Sequence, residues 1–319
     1  MVDTLYGETM GTRWRADLCV APRTDLHALH AGIQAQLDRV VAQMSTWESG
    51  SDLSRFNRAP AGTWQALPEP FFDVLAFALD IAARSGGACD PTLGPLVDLW
   101  GFGAAGGGSA DGARVPEARA LAEARARVGW QRLALDRAAR SALQPGGLSL
   151  DLSGIAKGYG VDAVVEWLRA RGVQAALVDV GGELRGHGRK PDGTPWRVLV
   201  EASPEEDDAD VPPCVVALDS LAAATSGDRW HRFEAGGRVY AHTIDPRTGA
   251  PVAHAAAAVT VLAADAMQAD AWATALTVMG AADGIAFAAA HGLPARFVVR
   301  AATGSEVRAT DAFLAHQLS

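Results

Sequence analysis

Asp270 and Thr274 stand four residues apart in Ala269-Asp270-Ala271-Trp272-Ala273-Thr274-Ala275-Leu276, a run that is otherwise apolar. At helical spacing they share one face, where a carboxylate and a hydroxyl can turn toward one hard cation. The same pair also suits a helix without a ligand, with an acid favoured in the first turns and a threonine bonding back to a carbonyl. A second segment, Leu150-Asp151-Leu152-Ser153-Gly154-Ile155-Ala156-Lys157-Gly158-Tyr159-Gly160-Val161-Asp162, leads an apolar strand into a glycine-bracketed lysine and a helix. Amides at a helix start, with the Lys157 ammonium beside them, suit phosphate oxygens, and Asp151 places a carboxylate at the strand end. An ordinary strand-to-helix turn would use the same residues.

Tyr240-Ala241-His242-Thr243-Ile244 runs into Asp245-Pro246-Arg247-Thr248-Gly249, a good β-turn by residue chemistry alone. His242, if it faces a site, can move a proton or hydrogen-bond a ligand. Ala224-Thr225-Ser226-Gly227-Asp228 ends a strand in hydroxyls but lacks a nucleophile elbow, which excludes a serine hydrolase. In Val178-Asp179-Val180-Gly181-Gly182-Glu183, paired glycines permit positive φ or a close approach. Trp47, in Met44-Ser45-Thr46-Trp47, offers a flat stacking surface, while Trp100 and Phe102, in Asp90 to Gly103, suit a core equally well. A P-loop, a paired-glycine dinucleotide fingerprint and a zinc pattern are all missing from the sequence.

The elements that must position these groups can be read from periodicity. Residues 12–21 alternate as a strand, and apolar residues from Leu26 to Met44 recur at helical spacing over 25–44, behind a Thr24 cap. Helices are expected over 69–85 and 116–128, with the Gly/Ala/Ser-rich run between Gly103 and Ala113 as a surface loop. From 148 onward, strands at 148–152, 175–180, 196–201, 214–218, 238–244, 256–263 and 295–300 mix with helices at 155–171 and 266–290. This is an α+β arrangement in one domain, residues 1–319, with a soft internal division near 147. The acidic stretch 204–210 is expected to be a solvated turn without a catalytic role.

A formal net charge of -9 over 319 residues, with no Lys/Arg run, argues against a nucleic-acid binder. Cys19, Cys89 and Cys214 are too scattered for a disulfide framework or a paired zinc site. The N-terminal residues lack the order of a signal peptide, and no apolar run is expected to cross a bilayer, so the chain as it stands reads as cytoplasmic.

In this order, the segments from Met10-Gly11-Thr12 to the Asp270 helix resemble the ApbE family of FAD:protein FMN transferases, and the likeness covers nearly the whole chain. The resemblance implies an α+β fold with a T-fold-related core and a flavin cleft between a helix-rich N-terminal part and a mixed C-terminal part. It implies that FAD is split, with FMN passing through a phosphoester to a threonine of an acceptor flavoprotein and AMP leaving. Asp270 and Thr274 correspond to side-chain ligands of Mg²⁺, joined by the main-chain oxygen of Gly154; Mn²⁺ accepts similar ligands. Met10, Trp47, Trp100, Gly101, Phe102, Asp151, Lys157 and Ile244 match flavin-contacting positions, with Asp151 on the adenosine part, while Asn57 and Thr225 lie inside family motifs.

The implied acceptor is a redox-complex subunit with a Ser/Thr-Gly-Ala-Thr motif. His242 is the candidate base for its threonine and Asp270 the competitor, though a carboxylate committed to a metal is the weaker base. Trp47 stands where many members have tyrosine, and Asp52 where glutamate is common. The alternatives are a Mg²⁺-dependent FAD pyrophosphatase yielding FMN and AMP, and a non-enzymatic FAD-binding assembly factor. Since many members are periplasmic or lipoproteins, an omitted signal peptide would move the chain to that compartment.

Overall fold

The computed structural model describes residues 2–104, 115–200, 214–227, 232–252, 256–301 and 304–318. The Gly/Ala/Ser-rich run past residue 104, the acidic stretch 204–210 and Asp228 lie outside the described residues. Two units emerge, each assembled from separate stretches of chain: Met1–Val40, Ile155–Gly227 and Ala255–Ser319 form unit 1, while Val41–Gly154 and Asp228–His254 form unit 2.

Elements are numbered in chain order. Unit 1 contains β1 (Asp3–Thr9), β2 (Thr12–Cys19), most of α1 (Leu26–Met44), α6 (Ala156–Ala170), β6 (Ala175–Val180), β7 (Glu183–His187), β8 (Trp196–Val200), β9 (Cys214–Leu218) and β10 (Ala222–Gly227). It continues through β15 (Ala256–Ala263), α7 (Ala266–Ala290), β16 (Ala295–Ala301), β17 (Gly304–Ala309), α8 (Asp311–Leu314) and β18 (Gln317–Leu318). Eight strands form an antiparallel sheet in the order β1-β2-β6-β7-β10-β15-β16-β17. Its first hairpin closes on Met10-Gly11, with φ of 49° and 70°, the two positive values a tight two-residue turn demands.

Period-two alternation gives β6 two working faces. Ala176, Val178 and Val180 meet Leu29, Ile33 and Leu37 of α1 and Val161, Val164, Val165 and Leu168 of α6. Ala175 and Leu177 point the other way, into Trp196, Val216, Leu218 and Phe313 from the small β18-β9-β8 sheet and α8. The α6 residues recur at i, i+3, i+4 and i+7, so one stripe of that helix is apolar and buried. Helix α7 packs on β10 and β15 and against α6, with non-helical backbone at Gly280 (φ 80°) dividing it.

Unit 2 holds α2 (Asp52–Asn57), β3 (Thr63–Ala66), α3 (Glu69–Arg84), α4 (Gly94–Leu99), α5 (Ala118–Arg125), β4 (Ala134–Asp136), β5 (Ser141–Gln144), β11 (Arg232–Ala235), β12 (Arg238–Ala241), β13 (Ile244–Asp245) and β14 (Ala250–Pro251). A three-stranded sheet runs β3-β5-β4, and two short hairpins pair β11 with β12 and β13 with β14. Helix α3 buries Phe71, Phe72, Val74, Leu75, Ala78, Ile81 and Ala82 along one face.

Several expectations need correction. The strand over 148–152 does not form; its one ladder contact is a bridge between Leu93 and Ser149. The Asn57 amide occupies this backbone instead, its Oδ1 accepting from Leu150 N (2.7 Å) and its Nδ2 donating to the Leu150 carbonyl (3.0 Å), while Asp151 N donates to the Pro91 carbonyl. Asp25, not Thr24, caps α1, accepting from Ala28 N at 3.0 Å. The strand over 238–244 breaks into β12 and β13, and the helix over 116–128 shortens to α5. Among the described residues one helix, the 25-residue α7, is long and apolar enough by composition to cross a bilayer, and it packs on β10, β15 and α6 within unit 1. Its apolar character follows from burial on the sheet and against α6.

Candidate active site

In unit 1, the N-terminal turn of α6 and the second turn of α7 carry the charged centre. No side chain of its own chain start caps α6. The Gly158 N–H, an unsatisfied donor of that first turn, finds the Asp270 Oδ2 of α7 at 3.0 Å. Such proximity is possible because residue 158 has no side chain: a Cβ there would sit 2.2 Å from the Ala266 carbonyl oxygen and 2.9 Å from Asp270 Cβ. Gly158→Ala must therefore force the two helices apart, and a loss of about 3 kcal/mol in denaturant unfolding is expected. Unfolding at the wild-type midpoint would contradict this close approach.

Lys157, one residue earlier, places Nζ 2.5 Å from Glu183 Oε1 at the start of β7. Glu183 is only 2 % exposed and Asp270 5 %. Burial pushes the Glu183 carboxyl up to about 8, with Lys157 opposing and Asp270 adding to the rise. Burial raises Asp270 as well, against the pull of Lys157 and the Gly158 N–H. Burial also works against the Lys157 ammonium, but the Glu183 and Asp270 carboxylates outweigh it and hold its pKa above that of an ordinary lysine. One ammonium thus serves two buried carboxylates, so ionising both leaves surplus negative charge in a poorly solvated place. Among the described residues Glu183 Oε2 is buried without a hydrogen-bond partner.

Oxygen donors and an uncompensated negative charge suit a hard divalent cation. Among the described residues no group of three His, Cys, Asp or Glu could enclose a metal by itself, so such an ion would draw on hydroxyl, carbonyl or ligand oxygens too. Thr274 follows Asp270 by one turn of α7, which puts it on the same helix face, and it is half-buried. Met10, at the β1–β2 turn, lies over α6, its Cε 3.2 Å from where a Cβ on Gly160 would be. Thr225 of β10 shares a hydrogen bond with Thr260 of β15 (2.9 Å), which gives its hydroxyl a cross-strand role.

In unit 2, Trp100, Phe102, Phe233, Tyr240 and Ile244 gather into one cluster. Trp100 is 3 % exposed and its Nε1 donates to the Gly249 carbonyl at 2.9 Å, so its ring is part of the core. Gly101 follows at φ 83°, the left-handed residue that ends α4. The ring of Phe102 lies edge-on to His242, with centroids 6.4 Å apart, and Phe233 stacks on Tyr240 at 5.0 Å. Ile244 is buried in the short β13–β14 pairing. Asp151 is half-buried and accepts from Ser153 N (2.8 Å), shaping the turn in which Gly154 lies. Trp47 is 56 % exposed, a large indole left uncovered.

Lys157, Gly158 and Asp270 therefore meet in unit 1, and Trp100, Gly101, Phe102, His242 and Ile244 meet in unit 2. Sequence reasoning overlooked Glu183 as part of the charged centre. The available signal was an acid directly after paired glycines at the end of an apolar strand, a position that β7 buries.

Comparison with known proteins places the whole chain in a family. The model of the ApbE family matches residues 10–297. The "FAD:protein FMN transferase" of Vibrio cholerae is 38 % identical over 310 residues, covering 97 % of this chain and 91 % of its relative. The protein of the same name from Klebsiella pneumoniae is 37 % identical over 279 residues, 86 % of this chain and 78 % of the relative. The crystal structure of the Pseudomonas stutzeri flavinyl transferase ApbE, in its apo form, superposes with a TM-score of 0.90 at 40 % identity, over 99 % of this chain and 96 % of that one.

Proposed function

This chain belongs to the ApbE family and is an FAD:protein FMN transferase, and on that premise we propose which of its residues carry the reaction. FAD is the substrate and a flavoprotein the acceptor. Asp270 and Thr274 would supply side-chain oxygens to a Mg²⁺ ion, with the main-chain oxygen of Gly154 as a third protein donor; Mn²⁺ would accept the same donors. The observation that carries this assignment is the surplus of buried carboxylate around Lys157, with Glu183 Oε2 left without a hydrogen-bond partner among the described residues. When bound, the ion would stabilise negative charge developing on the pyrophosphate oxygens.

The acceptor threonine attacks the FMN phosphorus in line, the bond from that phosphorus to the bridging oxygen breaks, and AMP leaves with that oxygen. Lys157 meets phosphate charge, and Asp151 holds the adenosine part. Because the Trp100 ring is buried, the Trp100-Gly101-Phe102 segment contributes through its main chain and Phe102, while Trp47, exposed, supplies the stacking face. Met10 and Ile244 complete the flavin contacts. His242 takes the threonine proton, and His242→Ala is expected to slow transfer about 100-fold. Transfer at the wild-type rate would remove His242 from that role.

The direct test incubates the protein with FAD, Mg²⁺ and an acceptor bearing a Ser/Thr-Gly-Ala-Thr motif, then measures intact mass. An FMN adduct on the motif's threonine together with free AMP supports the reading. Free FMN and AMP without adduct would replace it with hydrolysis, and intact FAD with a binding role.

A further inference from the structure

Asp162 of α6 and Arg185 of β7 have no part in the reaction as drawn, yet they bear on the helix that carries it. We propose that Asp162 is a positioning residue that sets Asp270 and Thr274 relative to the Lys157 turn and so tunes the divalent-ion affinity of the site. The inference rests on the metal assignment above.

The Asp162 carboxylate caps α7 from another helix. Its Oδ1 accepts from Ala266 N and its Oδ2 from Met267 N, both at 2.9 Å, which satisfies two of the donors left open at the start of α7. In return, Asp270 of α7 accepts from Gly158 N of α6. The helices therefore cap one another. Gly158 to Asp162 is one turn of α6, and Ala266 to Asp270 one turn of α7, so the two ties lie about 6 Å apart along the helices. A single tie would permit α7 to roll or slide; two ties a turn apart hold both the depth of Asp270 and the face that it shares with Thr274.

Arg185 orients the cap, its Nη1 lying 2.9 Å from Asp162 Oδ1 and 3.3 Å from Glu166 Oε1. It sits two residues beyond Glu183, so β7 presents both side chains on one face: Glu183 to Lys157 and Arg185 to Asp162. Burial pushes the Asp162 carboxyl up to about 6, opposed by the two N–H groups and Arg185, with Asp265 adding to the rise. Asp265 is the helix's own cap and accepts from Gln268 N at 2.9 Å. Among the described residues its side-chain hydrogen bonds are confined to Gln268, in the first turn of α7, which makes it the control for a cap local to that helix.

The test measures Mn²⁺ binding to the metal-free protein by electron paramagnetic resonance, without flavin. Asp162→Asn keeps the shape but loses one acceptor, and a roughly tenfold weaker Kd is expected, equivalent to about 1.4 kcal/mol. Its transfer deficit should shrink as metal is raised. Arg185→Gln, which leaves both acceptors but frees the carboxylate to turn, should weaken Mn²⁺ binding about threefold and provides the reading if Asp162→Asn fails to fold. Asp265→Ala should lower the unfolding midpoint with an unchanged Mn²⁺ Kd, whereas a purely structural role for Asp162 would make the two cap variants behave alike. Mn²⁺ affinity within twofold of wild type in Asp162→Asn, or in Arg185→Gln where that variant stands in, overturns the positioning role if Asp270→Ala abolishes binding. Tight binding retained in Asp270→Ala overturns the metal assignment itself, and the positioning role falls with it.

Discussion

Asp270→Ala is expected to lower the rate of FMN transfer about 1,000-fold, the equivalent of about 4 kcal/mol of transition-state stabilisation, while leaving the fold nearly as stable as before. On the proposed assignment the large kinetic effect follows because α7 would offer only one other side-chain ligand, Thr274, and a lone hydroxyl cannot hold a divalent ion against water. The small effect on stability follows from opposing terms. Removing the carboxylate forfeits the hydrogen bond from Gly158 N, yet it also relieves a buried charge that already competes with Glu183 for one ammonium. The net change should lie within about 1 kcal/mol. Single-turnover transfer followed by intact mass, paired with denaturant unfolding, measures both. Full Mg²⁺-dependent transfer by this variant would take Asp270 out of the site, whereas equal collapse of fold and activity would make it a structural residue.

The largest expected loss of stability comes from Lys157→Met. The methionine fills the volume of the lysine stem but leaves Glu183 and Asp270 facing each other without their shared cation. Breaking one partner out of a buried pair typically costs about 3–5 kcal/mol, because the remaining charge is desolvated and unanswered. Adding Glu183→Gln in the same chain removes that charge and should restore at least half of the loss. A single variant unfolding within about 1 kcal/mol of wild type would show that the ion pair contributes no more than a solvated one. FMN transfer should stay impaired in the double variant, since neutralising Glu183 does not replace the ammonium proposed to meet phosphate.

Local structure was legible wherever a residue's neighbours in sequence are also its neighbours in space. The short apolar runs at 175–180 and 214–218 and the helix expected over 155–171 marked β6, β9 and α6 closely, and the i, i+4 pair on α7 put Asp270 and Thr274 on one face. The exceptions share a cause. Residues 148–152 have the composition of a buried strand, but Asn57, 93 residues from Leu150, takes the hydrogen bonds that a neighbouring strand would have made. Trp100 could be read as core or as site until Gly249 claimed its indole N–H from 149 positions away.

The sequence by itself determined the family, the α+β class, the reaction and the principal elements, because motif order, periodicity and turn chemistry are properties of short stretches. Only the tertiary structure decided the electrostatics of the site: that Glu183 shares Lys157 with Asp270, that Gly158 lets two helices touch, and that Asp162 and Asp270 cap each other's helix. Burial and Coulomb interactions are sums over neighbours in space, and α6, β7 and α7 become neighbours only when the chain has folded.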